Sequence, residues 1–488
     1  MYMTKDLTVG KPLKSIVLFM LPIMVGNIFQ QLYSMVDTII VGQTISAQAL
    51  AGVGVTNSMS LLIIGFVQGL TSGFSVKTSQ MFGAHDEDGV KRSLAASLAL
   101  STVISVALTF VAVYTTMPLL RLIDTPEDVI GYSYDYIVAV YWGLAATVFY
   151  NLGSAMLRAV GDSRTPLIFL ILAALLNVGL DFLFILEFDM GVAGAGWATV
   201  VSQAVSAIGC FAVMFAKFPV YRIGLKHFAS SVKFYWQHMA LGLPMALQFS
   251  IIAVGIMVQQ SALNALGSVA VTAYTAANKI DSIINQSLAA LGAAVATFCG
   301  QNYGAGKYDR IRQGVKLSMA VGIVCSLIGF AFVALLAKPL TALFSNEITE
   351  EILDLSRQYL IWQGAMYIFL TAIYVYRNAL QGIGKSTFAM LGGGIEVVMR
   401  VLASLLLAKA LGYTGICVSN PAAWIGADIF FVISYYAVMR SLRRRKGILQ
   451  TKEEPIDGDH IMLDAQTLSL FGEKRAAISA PAGREKVA

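Results

Sequence analysis

The segment Leu157-Arg158-Ala159-Val160-Gly161-Asp162-Ser163 returns 223 residues later as Leu380-Gln381-Gly382-Ile383-Gly384-Lys385-Ser386. Other segments return with it. Leu21-Pro22 becomes Leu243-Pro244, Met35-Val36 becomes Met257-Val258, and Phe82-Gly83-Ala84 becomes Tyr303-Gly304-Ala305. The offset stays between 221 and 223 throughout, a register that unrelated segments would not hold. The chain is an internal duplication, so whatever fold suits one half suits the other.

Composition says what each half is made of. Of 488 residues, 57 % are apolar and 13 % charged, with a mean hydropathy of +0.71. Soluble chains carry about 25 % charged residues. A soluble enzyme, a disordered chain and a disulfide scaffold therefore fit poorly, and a polytopic helical membrane protein fits well. Residues 15–36, 38–76, 93–120, 136–157, 190–216, 239–278, 282–306 and 317–337 contain no Asp, Glu, Lys or Arg. With four less clean stretches they predict twelve spans: 15–40, 56–78, 93–118, 133–157, 165–187, 193–216, 238–262, 273–298, 314–338, 356–380, 387–409 and 415–440. Backbone groups in lipid must be paired internally, and runs apolar on both faces exclude the alternating pattern of a barrel.

The expected fold is an all-α membrane protein with twelve transmembrane helices in two six-helix lobes related by pseudo-two-fold symmetry. The expected parts are a cytoplasmic N-terminus (1–14), an N-lobe (15–216), a cytoplasmic linker (217–237), a C-lobe (238–440) and a flexible cytoplasmic tail (441–488). Six helices per copy make both copies enter from the same side. Secondary transporters commonly bind substrate between repeated halves and rock them. Pro22 and Pro244 interrupt matching helices and are candidate hinges; a fixed kink is the competing reading. The run after Lys11 and Lys14 is too long for a signal-peptide core and reads as the first span. Cys210, Cys299, Cys325 and Cys417 lie in or beside predicted helices without metal-ligand spacing, and read as packing residues with no disulfide.

The net charge of +6 is unevenly spread. Lys77, Lys91, Arg92, Arg158, Arg164, Lys217, Arg222, Lys226, Lys233, Lys307, Arg310, Arg312 and Lys385 fall in one set of alternate loops. The other set is neutral or acidic; residues 339–355 hold four acids and no base. Positive loops stay inside, so both termini are expected in the cytoplasm of a multi-pass protein of the cell's inner membrane.

Gln31-Leu32-Tyr33-Ser34-Met35-Val36-Asp37-Thr38-Ile39-Ile40-Val41-Gly42, Leu157-Arg158-Ala159-Val160-Gly161-Asp162 and Asn177-Val178-Gly179-Leu180-Asp181 together resemble the multidrug and toxic compound extrusion (MATE) family. The resemblance covers residues 10–440. It implies a V-shaped pair of lobes that exports organic, often cationic compounds, driven by inward flow of protons or sodium ions. It also implies a cation site at Asp37, Asn177, Asp181 and Thr199.

The residues support the same set independently. An Asp at mid-bilayer costs about 2.5–3.5 kcal/mol on insertion scales, so it is rarely idle. Asp37 and Asp181 lie roughly 6–9 Å below the outer ends of their predicted helices, at ~1.5 Å per residue. Thr199 enters from outside to a similar depth, and Asn177 is one turn from Asp181 on the same face. Two carboxylates side by side in an apolar setting hold a proton more readily, and four oxygen ligands also suit a transient sodium ion at Asp37 and Asp181. The alternative is that either Asp caps a helix. No structural metal and no cofactor are expected beyond the coupling H⁺ or Na⁺. Candidate substrate contacts are Gln31, Tyr33, Phe149, Tyr150, Met257, Gln259 and Tyr374, the aromatics and Met for cation and apolar recognition; ordinary packing competes at each.

The C-lobe departs from the pattern. Gln259 stands where Asp37 does, and Arg400 where Asn177 does. Glu396 and Arg400, spaced i, i+4, read first as a structural pair; the roles of Asp281 and Asp428 stay open. The expected partners are drug-like small molecules and the lipid bilayer, with no nucleic acid, and the protein is expected to be a monomer. A lipid-linked precursor flippase is the alternative function, though it would want a more basic cavity. A membrane-embedded enzyme has no catalytic pair, metal cluster or nucleotide loop in its favour.

Overall fold

A helix in lipid sorts its residues differently from one in water. Large apolar side chains face out, and small or hydroxylated ones face neighbouring helices, where they permit close approach. Residues 87–122 follow this rule: Ser93, Ser97, Ser101, Ser105, Thr109, Ala112 and Thr116 are buried at three- and four-residue spacing. Val103, Val106, Phe110, Val111 and Tyr114 are exposed on the opposite side. Residues 308–342 repeat the pattern, burying Gly314, Ser318, Gly322, Ser326, Gly329 and Val333.

The computed structural model describes residues 6–343 and 349–453, with the side chains of 32–35, 37–39, 47, 58 and 445–453 outside the description. The helices are α1 (Pro12–Thr44), α2 (Ala47–Gly83), α3 (Glu87–Leu122), α4 (Glu127–Trp142), α5 (Leu144–Ala159), α6 (Arg164–Phe182), α7 (Gly191–Lys217), α8 (Val232–Asn264), α9 (Ser268–Gly304), α10 (Tyr308–Ala342), α11 (Glu350–Gly382), α12 (Ser386–Leu411) and α13 (Tyr413–Glu453). Among the described residues eleven helices are long and apolar enough to cross a membrane, or twelve when the bent pair α4–α5 counts as one span. The chain divides into two compact units, 1–437 and 438–488. All packing reported below lies in the first; the second holds the last turns of α13.

Three expectations change. The span 133–157 is not continuous: α4 and α5 meet at Gly143 with a bend of 52°, and a Cβ at Gly143 would lie 2.1 Å from a Val200 methyl on α7. The loops are shorter than predicted; residues 42–55 are helical except at 45–46. Hydropathy marks only the lipid-immersed part of a helix, and the polar turns beyond it continue in helical geometry. For the same reason α13 runs to Glu453 rather than ending at 440. The remainder of the expected tail, from 454, lies outside the described residues. The linker 217–237 forms two short 3₁₀ turns, Pro219–Tyr221 and Leu225–His227, before α8 begins. Helices α1 and α8 pass through Pro22 and Pro244 without interruption. Cys210, Cys299, Cys325 and Cys417 are free thiols.

The two halves meet along α1 and α2 on one side and α8 and α9 on the other. A glycine stripe permits this. On α2, Gly65, Gly69 and Gly73 face Phe249, Ala246 and Gly242 of α8. A Cβ on Gly73 would stand 2.3 Å from the Gly242 Cα. The duplicated turns also match, Gly161 with φ +89° and Gly384 with φ +85°.

Candidate functional site

The N-half places the predicted polar residues around α6. Asn177 and Asp181, one turn apart, are 1 % and 0 % exposed. Asn177 Nδ2 donates to Thr199 Oγ1 of α7 at 3.4 Å, so the amide and hydroxyl expected at one depth do meet. Helix α1 packs along α6. Ile40 and Val41, one turn beyond Asp37, cluster with Val178 and Ile185, which bracket Asp181 on the neighbouring chain segment. The backbone of residue 37 therefore runs beside this level; the side chains of Asp37 and Tyr33 lie outside the described residues.

Next to Asn177 and Thr199 is a cavity of about 30 Å³, walled by four helices. Gln30 enters from α1, Tyr150 from α5, Asn177 from α6, and Thr199, Ser202, Gln203 and Ser206 from α7. Leu170, Ala173 and Ala174 complete the wall. Asn177 Oδ1, Ser202 Oγ and Gln203 Oε1 are buried with no hydrogen-bond partner among the described residues. Buried oxygens of this kind normally have partners. A polar space of this size takes about two waters, or one small cation keeping part of its hydration. It is an order of magnitude below the roughly 300–1,000 Å³ of drug-sized sites.

The remaining candidates fall in different surroundings. Tyr150 lines the cavity, whereas Phe149 beside it packs edge-on against Phe211 in the apolar core. Gln31 is half-buried next to Gln30, and Met257 is exposed on α8. Gln259 is buried, and its Nε2 donates to Ser419 Oγ at 2.7 Å. Tyr374 donates its hydroxyl to Asn285 Oδ1 at 2.6 Å and lies under the Arg377 guanidinium, 5.1 Å away. Gln30, Ser202 and Gln203 were not among the expected residues; their only signals were the polar pairs at 30–31 and 202–203 inside apolar helices.

The C-half carries fixed charge at the equivalent level. Arg400, standing in the place of Asn177, bonds Glu396 at 2.7 Å, and Arg377 reaches the same carboxylate at 4.0 Å. Asp281 accepts from the Tyr367 hydroxyl at 2.7 Å. At Glu396, guanidinium groups already sit beside the acid. Among the described residues no group of three or more His, Cys, Asp or Glu is placed to hold a metal ion.

Comparison with known proteins agrees with this architecture. The MatE family model matches twice, at residues 22–183 and 244–406, so each half is one copy of the family unit. A probable multidrug resistance protein of Bacillus subtilis, YpnP, is 33 % identical over 416 residues, covering 84 % of this chain and 92 % of that protein. An FAD transporter of Shewanella oneidensis is 24 % identical over 429 residues, covering 86 % and 93 %. The solved structure of a MATE protein in its straight conformation superposes with a TM-score of 0.83 at 23 % identity, covering 91 % of this chain and 99 % of that one. With the family unit fitted to each half in turn and the two-lobed helical fold shared, this chain belongs to the multidrug and toxic compound extrusion (MATE) family of membrane transporters.

Proposed function

We propose that the chain is a secondary active multidrug exporter of the cell membrane, with both termini in the cytoplasm. Its two lobes rock to exchange organic, often cationic compounds for protons or sodium ions. The observation that carries the reading is the small polar cavity lined by Asn177 and Thr199, with the wholly buried Asp181 one turn of α6 beyond Asn177. An acid kept in the bilayer at such cost is rarely structural, and the adjoining space admits water or a small ion but no drug. The coupling ion thus binds inside the N-lobe, at Asp37, Asn177, Asp181 and Thr199, while the larger substrate is handled between the lobes. Loading the acids with H⁺ or Na⁺ neutralises the N-lobe and weakens its hold on a cationic substrate.

A flippase gains little support. The bases that would grip a pyrophosphate are committed, Arg400 to Glu396 and Arg377 to the same carboxylate and the Tyr374 ring. The test is transport in proteoliposomes with independently imposed proton and sodium gradients. An organic cation and FAD would serve as rival cargoes for wild type, Asp37→Asn and Asp181→Asn. We expect gradient-driven cation export that both substitutions abolish. Export indifferent to both would remove the site, and dependence on ATP would remove the mechanism.

A further inference from the structure

At the end of the bundle that carries the N-terminal segment, two glutamines perform the same act in opposite directions. Gln80, on α2 of the N-lobe, donates its Nε2 proton to the Gly382 carbonyl of the C-lobe at 2.9 Å. Gln301, on α9 of the C-lobe, donates to the Ala159 carbonyl of the N-lobe at 2.8 Å. These are repeat-related residues: Gln80 and Gln301 differ by 221 positions, Ala159 and Gly382 by 223. The backbones between them are equally reciprocal. A Cβ on Gly83 would lie 1.9 Å from the Gln301 carbonyl oxygen, and one on Gly304 1.8 Å from that of Gln80. Gln301 is 0 % exposed, and its Oε1 also accepts from the Leu7 backbone N–H at 2.9 Å.

Packing alone does not require this arrangement. Apolar helix ends can be held together by side chains of many shapes, whereas here each lobe reaches across to a carbonyl at the last turn of a helix in the other. Carbonyls there lack intrahelical partners, so the bonds form only while the lobes touch and water replaces them when they part. We propose that Gln80 and Gln301 are a paired latch that closes the lobes at this end, breaking and re-forming once in every transport cycle. The proposal rests on the rocking-lobe reading given above. Glutamine is well matched to such a latch. It is uncharged, so the open state leaves no buried charge behind, and a bond exchanged for water is worth little enough to be reversible.

Ser79 reports on the latch. It is 3 % exposed on α2, and a Cβ at Gly300 of the C-lobe would lie 2.9 Å from its own Cβ. In proteoliposomes containing the full chain, the Ser79→Cys thiol would be alkylated with a maleimide and its rate read by peptide mass, which leaves the native cysteines in place. With each bond worth about 1 kcal/mol, Gln80→Ala should raise the rate about fivefold; Gln301→Ala, which also gives up the Leu7 bond, should raise it at least about fivefold, and the double variant at least about thirtyfold. Gly83→Ala should raise it too, so the result does not depend on the double variant folding. Gln381→Ala, which breaks a bond to Gln248 within the C-lobe, should leave the rate unchanged. An unchanged rate in the glutamine variants, or an equal rise with Gln381→Ala, overturns the latch. Full export after complete alkylation would overturn alternating closure itself, separately from the part played by the glutamines.

Discussion

Ala174→Val tests whether the N-lobe cavity lies on the coupling route. Ala174 is 4 % exposed and forms part of the wall. The substitution adds two carbons to a space of about 30 Å³, which takes about two waters, so water and ions are displaced. Overpacking of this kind costs about 1–3 kcal/mol, which leaves a folded protein. The functional loss is far larger. One charge crossing 100 mV releases about 2.3 kcal/mol, and at about 1.4 kcal/mol per decade this supports a roughly 40-fold substrate gradient. With the cavity filled, accumulation in energised proteoliposomes should fall towards unity, while passive binding of the cation persists. Ala96→Val is the control: Ala96 is 0 % exposed on α3, outside the cavity wall. It carries the same overpacking and should keep accumulation near 40-fold. If Ala174→Val still accumulates substrate, or if Ala96→Val fails equally, the cavity is not on the route.

Arg400→Met leaves the buried Glu396 carboxylate with only Arg377 at 4.0 Å, and should cost up to about 3 kcal/mol, the low end for a broken buried pair. Glu396→Gln with Arg400→Met should recover most of that loss; equal melting midpoints in detergent for the single and double variants would show that charge is not the cause. Gly73→Ala drives a methyl against the Gly242 backbone and should force α2 and α8 apart, lowering export severalfold in protein that still elutes as a single species; wild-type export would refute the close-packed interface. Tyr374→Phe removes the bond to Asn285, worth about 1 kcal/mol. It should lower the melting midpoint slightly and leave the transport KM for an organic cation unchanged, whereas a raised KM would return Tyr374 to the substrate site.

How much could be read in advance varies with the physics involved. The repeat was visible because duplicated helices keep duplicated packing, as Gly161 and Gly384 do in their matching turns. Asn177 and Asp181 stood out because an acid and an amide one turn apart in an apolar run are costly. Gln30, Ser202 and Gln203 did not, since in a lipid-facing helix a polar residue is equally consistent with facing a neighbour for packing; only the convergence of four helices shows what they line. The pair of Phe149 and Tyr150 shows the same limit. Both read as substrate aromatics, yet adjacent positions on a helix point about 100° apart, and the neighbours decide which one meets the cavity.

From its residues alone the chain is obliged to be a duplicated helical membrane protein, because the cost of unpaired backbone in lipid leaves no other option for runs this apolar. What required the assembled structure was everything made between distant helices: the packing of Gly143 against Val200, the approach of Arg377 to the Glu396–Arg400 pair, and the crossing of Gly83 with Gln301. Such contacts depend on the distance between helix axes, and a one-dimensional pattern records which face is sticky without recording what it will touch.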